Sequence, residues 1–156
     1  MSLAEHDIVV QIARNFDGLN VSRRKLEHLV KTVCRRFELS KATVSIAIVD
    51  DERFCKINRR FLNRKSVSDC LSFDLSEEAG PGSPKLFELV VNGEMAVRQA
   101  NLRGHSSEAE LALYVTHGLL HNLGFDDSSK SKAKKMHDTE DEILQQLGYG
   151  LVYNSK

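Results

Sequence analysis

The stretch THGLLHNLGFDD, residues 116–127, combines two histidines four positions apart with a glycine and a pair of aspartates. On an α-helix, residues i and i+4 lie on the same face, so His117 and His121 can direct two ring nitrogens at one point. Gly124 can adopt the left-handed conformation in which many helices end. The chain would then reverse direction and bring Asp127 back toward the histidine face. We therefore predict a metal site with His117, His121 and Asp127 as ligands.

The spacing H-x-x-x-H-x-x-G-x-x-D is that of the metzincin zinc motif, with an aspartate in place of the third histidine. Zinc in a catalytic site takes three protein ligands and keeps a fourth position for water, and a carboxylate oxygen is an accepted ligand. Zincin peptidases place a glutamate after the first histidine as the base, whereas this chain has Gly118 there. The motif thus favours zinc-assisted hydrolysis over the usual peptidase route.

Other interpretations of this segment stay open. A histidine pair at helical spacing also occurs in helices that bind no metal. Asp127 could cap the last helix, in which case Asp126 would be the carboxylate that reaches the metal. We expect His105 in a loop, and His137 on the surface of the last helix as a distant substitute ligand.

Length, charge and cysteine content restrict the class of protein. The 156 residues suit one domain over residues 1–156, and 22 basic and 22 acidic side chains give no net charge to attract nucleic acid or membrane. The cysteines are odd in number and lack C-x-x-C spacing, which predicts reduced thiols. No secretion signal or apolar run of about 20 residues is present. We therefore expect a cytoplasmic protein.

Hydrophobic periodicity predicts a mixture of strands and helices. Alternating or β-branched runs predict strands at residues 7–13, at 43–49 and around Leu71 and Phe73, and the proline-containing segment 76–84 is predicted to be a loop. Within residues 87–97, the pair Asn92-Gly93 predicts a hairpin turn. A further strand ending near Arg98 is expected.

Four helices are predicted from apolar spacing and end signals. They are expected between Ser22 and Ser40, over residues 51–62, from a capping box at Ser107 and Glu110 to about Leu123, and from near Ser129 to Gly148. The third of these carries the histidine pair.

Two basic segments lie near the predicted site. Residues 53–65 carry six basic side chains and no acid, and KSKAKK at residues 130–135 places four lysines just after Asp127. Lysines at a helix N-terminus oppose the helix dipole, so a phosphate-bearing substrate would explain them better than helix stability does. Alternatively, these lysines belong to an ordinary solvent-exposed helix surface of mixed charge, because acidic residues follow at Asp138, Glu140, Asp141 and Glu142.

Several segments resemble the YbeY family of bacterial ribosomal RNA maturation factors and metal-dependent endoribonucleases. HGLLHNLGFDD resembles the family's H-G-x-L-H-x-x-G-Y-D-H, and INRRFLNRKSVSDCLSF resembles N-R-x-Y-R-x-K-x-x-P-T-D-V-L-S-F. NGEMAV resembles L-G-D-I-x-I, and MHDTEDEILQQLGY resembles M-x-x-x-E-x-x-I-L-x-x-L-G-Y. The four segments follow the family's order from residue 43 onward.

The resemblance implies an α+β, zincin-like single domain, with a small mixed β-sheet of about four strands packed by helices. It places His117 and His121 on two ligand positions and Asp127 on the third, where the family has histidine. It also implies a substrate cleft formed by four matching residues: Asn58, Arg59, Asp69 and Ser72. The family's cleft arginine falls on Leu62, and its nearest substitutes, Arg60 and Arg64, do not match the position.

The function implied is a cytoplasmic, zinc-dependent endoribonuclease that processes ribosomal RNA. Its expected partners are RNA of the small ribosomal subunit and the ribosome itself, with no membrane and no DNA. Two alternatives are a zinc peptidase or amidase, and a ribosome-associated RNA-binding module that has lost catalysis through its altered third ligand and missing arginine.

Overall fold

The computed structural model describes residues 7–62, 68–80 and 82–150. Within these ranges the strands are β1 (Asp7–Arg14), β2 (Lys41–Val49), β3 (Cys70–Asp74) and β4 (Lys85–Asn92). The helices are α1 (Arg23–Arg36), α2 (Asp51–Leu62), α3 (Gly93–Arg103), α4 (Ser107–Asn122) and α5 (Lys130–Gln146). The strands predicted at residues 7–13 and 43–49 and around Leu71 are confirmed, and so are the four predicted helices, apart from the first residues of α4.

The four strands form one mixed sheet in the order β1-β2-β4-β3. β1, β2 and β4 run parallel, while β3 pairs antiparallel with β4 and forms an edge of the sheet. Parallel neighbours require crossover connections, which α1 supplies between β1 and β2. The predicted α+β class with a four-stranded mixed sheet is confirmed.

The two faces of the sheet are covered very unequally. One face carries Val44, Ile46 and Leu89 into the main core, which α1, α4 and α5 complete. The alternate residues of the strands point the other way, where Leu71 and Val90 pack with Phe54 of α2 in a smaller cluster. α4 and α2 therefore lie on opposite sides of the sheet.

The hairpin predicted at Asn92-Gly93 is wrong, as is the strand expected to end near Arg98. Asn92 ends β4 with φ −84° and caps α3, because its side-chain oxygen accepts a hydrogen bond from the amide of Met95 at 3.0 Å. A type I′ turn needs positive φ at both central residues, and neither has it here. Gly93 is instead needed for close packing, since a Cβ there would lie 2.8 Å from Cγ2 of Ile48.

The capping box predicted at Ser107 and Glu110 is wrong, because the N-cap lies one residue earlier. Ser106 is the N-cap of α4, and its hydroxyl accepts from the amide of Ala109 at 3.1 Å. Glu110 does not close a capping box, because its carboxylate is buried and bonds Arg103 and His105. His105 lies in the loop between α3 and α4, as expected.

The cysteines and the helices give two further observations. Cys34, Cys55 and Cys70 are all free. Burial raises the pKa of the Cys34 thiol to about 11, despite the opposing charge of Arg35, so this thiol is unreactive at neutral pH. In the described residues, no helix combines the length and apolar character that a membrane span requires.

Gly118 allows α4 to approach the sheet at the level of β3. A Cβ at this position would lie 2.7 Å from Sγ of Cys70, 2.9 Å from Oγ of Ser72 and 3.1 Å from Cδ2 of Leu89. The Ser72 hydroxyl donates to the carbonyl of Gly118 at 3.0 Å, which closes the contact. The glutamate that zincin peptidases place here has no room, so packing accounts for the glycine.

The Gly118 contact predicts the effect of one added methyl group. Gly118→Ala should lower the free energy of unfolding by about 1–3 kcal/mol through overpacking. The higher helix propensity of alanine should offset about 1 kcal/mol of this loss. In a Cys70→Ala background the loss should shrink, because the nearest clashing atom is gone. Chemical denaturation of the two single variants and the double variant measures this coupling, and equal losses in both backgrounds would contradict it.

Candidate metal centre

α4 brings His117 and His121 together as the spacing predicts. Their rings meet edge to face with centroids 4.6 Å apart, and their Nε2 atoms lie 3.1 Å from each other. Two nitrogens bound to one tetrahedral zinc at the usual bond length are about 3.3 Å apart. The pair is therefore spaced for a shared metal ion without rearrangement of either ring.

Oxygen acceptors behind both rings determine their tautomers. Nδ1 of His121 lies 3.1 Å from the carbonyl oxygen of Phe125, which can only accept a hydrogen bond. Nδ1 of His117 lies 2.5 Å from Oε2 of Glu140, a fully buried carboxylate on α5. The acceptors therefore favour the tautomer with the hydrogen on Nδ1, which leaves a lone pair at Nε2 of each ring.

The two Nε2 lone pairs face each other, and this arrangement is favourable only around a positive charge. Burial lowers the pKa of His117, but the hydrogen bond and charge of Glu140, with the charges of Asp69 and Asp127, outweigh burial and raise it overall. The centre thus attracts cations. Imidazole nitrogens oriented by outer hydrogen bonds are typical of protein metal sites.

Asp127 lies where a third ligand is needed. One of its carboxylate oxygens and the ligand nitrogens of His117 and His121 all lie within 4.8 Å of one another. Asp126 is turned away, because its Oδ1 accepts from the amide and hydroxyl of Ser128 at 3.0 and 2.8 Å. Ser129, not Asp127, caps α5. The geometry therefore favours Asp127 over the alternative Asp126.

A second set of candidate ligands, His117, His137 and Glu140, shares one histidine with the first. Oε1 of Glu140 lies 2.9 Å from Nδ1 of His137, whose ring stacks on that of His117. Glu140 is fully buried and the two histidine side chains are each 18% exposed, so this set is less open to a substrate than the first. Asp127 is exposed, so the first set has the open side that catalysis requires.

Glu140 and His137 lie deeper than the sequence suggests. The alternative of a solvent-exposed surface includes Glu140, which is fully buried, and the side chain of His137, expected on the surface as a substitute ligand, is only 18% exposed. Met136, Glu140, Ile143 and Leu144 recur at helical spacing on the apolar face of α5. That periodicity was the available indication that Glu140 points inward.

The four cleft candidates divide between the two sides of the sheet. Ser72 bonds the backbone of α4 beside His117, and Asp69, just before β3, is close enough for its charge to affect His117. Burial raises the pKa of the Asp69 carboxyl, with partial opposition from His117. Asn58 is buried and Arg59 exposed on α2, on the other side of the sheet from α4.

A groove with basic walls adjoins the centre. It has a volume of about 330 Å³ and is lined by Leu123, Gly124, Phe125, Asp126, Lys132 and Lys135. Nζ of Lys135 lies 5.9 Å from the centroid of the Phe125 ring, and Lys132 approaches Asp126 at 3.6 Å. Lys134, by contrast, forms an exposed ion pair with Asp138 at 2.6 Å, as the alternative of a solvent-exposed surface predicts for it. Lys132 and Lys135 thus place two cations in the groove beside the residues that follow α4.

Comparison with known proteins assigns the chain to a family. The sequence profile described as Endoribonuclease YbeY matches residues 11–148. A relative named Endoribonuclease YbeY from Halalkalibacterium halodurans is 32% identical over 94% of this chain and 98% of its own length. One from Aquifex aeolicus is 30% identical over 84% of this chain and 87% of its own.

Two further comparisons concern length and fold. A Myxococcus xanthus protein of the same name is 31% identical over 92% of this chain, which spans only 49% of that relative. The solution structure of TM1509 from Thermotoga maritima superimposes with a TM-score of 0.57 at 23% identity, over 88% of this chain and 91% of the other. The fold and the profile match agree, and the chain belongs to the Endoribonuclease YbeY family.

Proposed function

We propose that this protein is a metal-dependent endoribonuclease that matures ribosomal RNA of the small subunit in the cytoplasm, with one zinc ion held by His117, His121 and Asp127. The observation that carries the proposal is the pair of Nε2 atoms 3.1 Å apart, each oriented by an oxygen acceptor behind its ring. Family membership supports the endoribonuclease activity.

The residues around the centre provide what phosphodiester hydrolysis needs. A bound zinc ion supplies Lewis acidity, which lowers the pKa of water and polarises a phosphoryl oxygen. Lys132 and Lys135 supply positive charge at the adjoining groove, where the negative charge of a phosphate can be balanced. Glu140 holds the His117 ring in place, and Asp69 and Ser72 form the wall on the β3 side. Arg59 and the buried Asn58 stay proposed substrate-binding residues of α2.

The two rival functions have less support. A peptidase of the zincin type would need a base at position 118, where the packing of α4 on β3 leaves room only for glycine. A non-catalytic RNA-binding module would not need an open metal centre. The leucine at the family's arginine position, Leu62, is the one feature that agrees with such a module. Arg64, a possible substitute, lies outside the described residues.

Removal of either imidazole tests the centre. His117→Ala and His121→Ala should each abolish stoichiometric zinc and the cleavage of ribosomal RNA, because two remaining ligands do not hold the ion. Elemental analysis and an RNA cleavage assay measure the two effects. His28→Ala, an exposed histidine of α1, is the matched control and should retain both. Full cleavage by the zinc-free variants would remove the metal from the mechanism, and cleavage of peptides but not RNA would favour the peptidase.

Two neighbouring carboxylates allow a test of the third ligand. Asp127→Ala should weaken zinc binding by about 10-fold or more, since even outer-shell changes at metal sites reach this size. Asp126→Ala should leave the zinc affinity nearly unchanged, because Asp126 bonds Ser128 and not the centre. Competition against a chromophoric chelator measures both constants. The reverse order of effects would identify Asp126 as the ligand.

The buried carboxylate behind His117 has its own expected effect. Glu140→Gln should lower zinc affinity by about 10- to 100-fold, because the neutral amide no longer strengthens the imidazole as a donor. Glu142→Gln, two residues away on α5 at a carboxylate that bonds Arg36 at the surface, is the matched control. Chelator competition again provides the measurement, and equal affinities in the two variants would show that Glu140 does not position the ligand.

A further inference from the structure

The exposed side of α2 carries a feature that the metal centre does not explain. Over its last two turns, the helix exposes Lys56, Arg59, Arg60, Phe61 and Leu62, with no acidic side chain among them. The acids of α2, Asp51 and Glu52, lie in its first turn. Glu52 pairs with Lys56 at 3.2 Å, so the positive charge of the last turn comes from Arg59 and Arg60, beside the apolar Phe61 and Leu62.

Phe61 is the most unusual member of this surface. Its side chain is 62% exposed, although a phenylalanine usually lies in the core. The ring of Phe73 on β3 supports it from one side in an edge-to-face contact, with centroids 6.0 Å apart. The guanidinium of Arg60 lies over the ring at 5.6 Å from its centroid. A cationic group thus already lies within cation–π range of Phe61, and much of the residue stays open to solvent.

This combination fits single-stranded RNA better than a protein partner. Aromatic rings that stack bases, together with cations that follow the phosphate backbone, are the usual means of binding single strands. Arginine adds a second flat surface for a base. A protein partner would have to cover the surrounding cations as well as the ring, whereas the phosphates of RNA neutralise them.

The position of Phe61 connects it to the metal centre through the edge strand. Phe73 and Ser72 are neighbours on β3 and point to opposite faces of the sheet. Phe73 contacts Phe61 of α2, while the Ser72 hydroxyl bonds the carbonyl of Gly118, the residue after His117. Phe61 and the metal ligands thus lie on the two sides of one short edge strand.

We propose that Phe61, with Arg60 and Phe73, forms a base-stacking platform that holds a single-stranded segment of the RNA substrate after it passes the edge strand from the metal centre. This inference rests on the proposed function for the identity of the substrate. It adds an RNA-binding site outside the metal centre, and it gives the basic surface of α2 a role in RNA binding.

The absence of tryptophan from the sequence allows a direct test. Phe61→Trp introduces a single tryptophan, whose fluorescence should be quenched when a single-stranded oligoribonucleotide stacks on it. Leu102→Trp, at a residue 79% exposed on α3, is the matched control and should not respond to the same RNA. An oligonucleotide with abasic sites should bind through its phosphates but leave the fluorescence of both variants unchanged.

Loss of the ring should weaken binding without affecting the fold. Phe61→Ala should reduce the affinity for the oligoribonucleotide about 10-fold, measured by fluorescence anisotropy, because stacking of one base is lost. Its thermal unfolding should match that of the unmodified protein, since the side chain is largely exposed. Affinity for the abasic oligonucleotide should be the same in both.

Three outcomes would overturn the platform. They are unchanged RNA affinity in Phe61→Ala, no quenching of Phe61→Trp at RNA concentrations that saturate binding, and a concentration-dependent dimer of the unmodified protein that Phe61→Ala abolishes. Normal RNA cleavage combined with any of them would refute the platform alone. Quenching of Phe61→Trp in a protein that never cleaves RNA would refute the proposed nuclease and keep the platform.

Discussion

The candidate centre depends on hydrogen bonds behind its imidazole rings. The carbonyl of Phe125 and the carboxylate of Glu140 each accept from a Nδ1 atom, and they thereby leave both Nε2 lone pairs directed at one point. The first acceptor comes from the reversal of the chain after α4, and the second comes from α5. The arrangement thus requires the helix end, the Gly124 turn and the docking of α5 to form together.

The parts of this site that the sequence predicted are those formed by local geometry. His117 and His121 lie one helical turn apart, and Gly124 adopts the left-handed conformation with φ 100°. Asp127 follows at a distance of three residues. None of these positions depends on a partner far along the chain, so helix periodicity and glycine chemistry were enough to place them.

The residues that were misread depend on tertiary contacts. Asn92-Gly93 has the composition of a hairpin turn, but the Asn92 side chain caps α3 and Gly93 fits against Ile48 of a neighbouring strand. Glu140 is charged and lies among other acids, so composition suggested the surface. Its burial is tolerated because ring nitrogens of two histidines, one of them on another helix, bond both carboxylate oxygens and compensate for the lost contact with water. Such compensation can be recognised only once the helices are packed.

The buried Glu140 also has a consequence for the protein as a folded object. A carboxylate without access to water is costly unless positive charge lies near it, and the ring nitrogens of His117 and His137 are the hydrogen-bond partners that the described residues give Glu140. An ion on the far side of the His117 ring would act as counter-charge to this anion through the aromatic ring between them. A metal ion held there would then contribute to the electrostatic balance of the core and to the packing of α4 against α5.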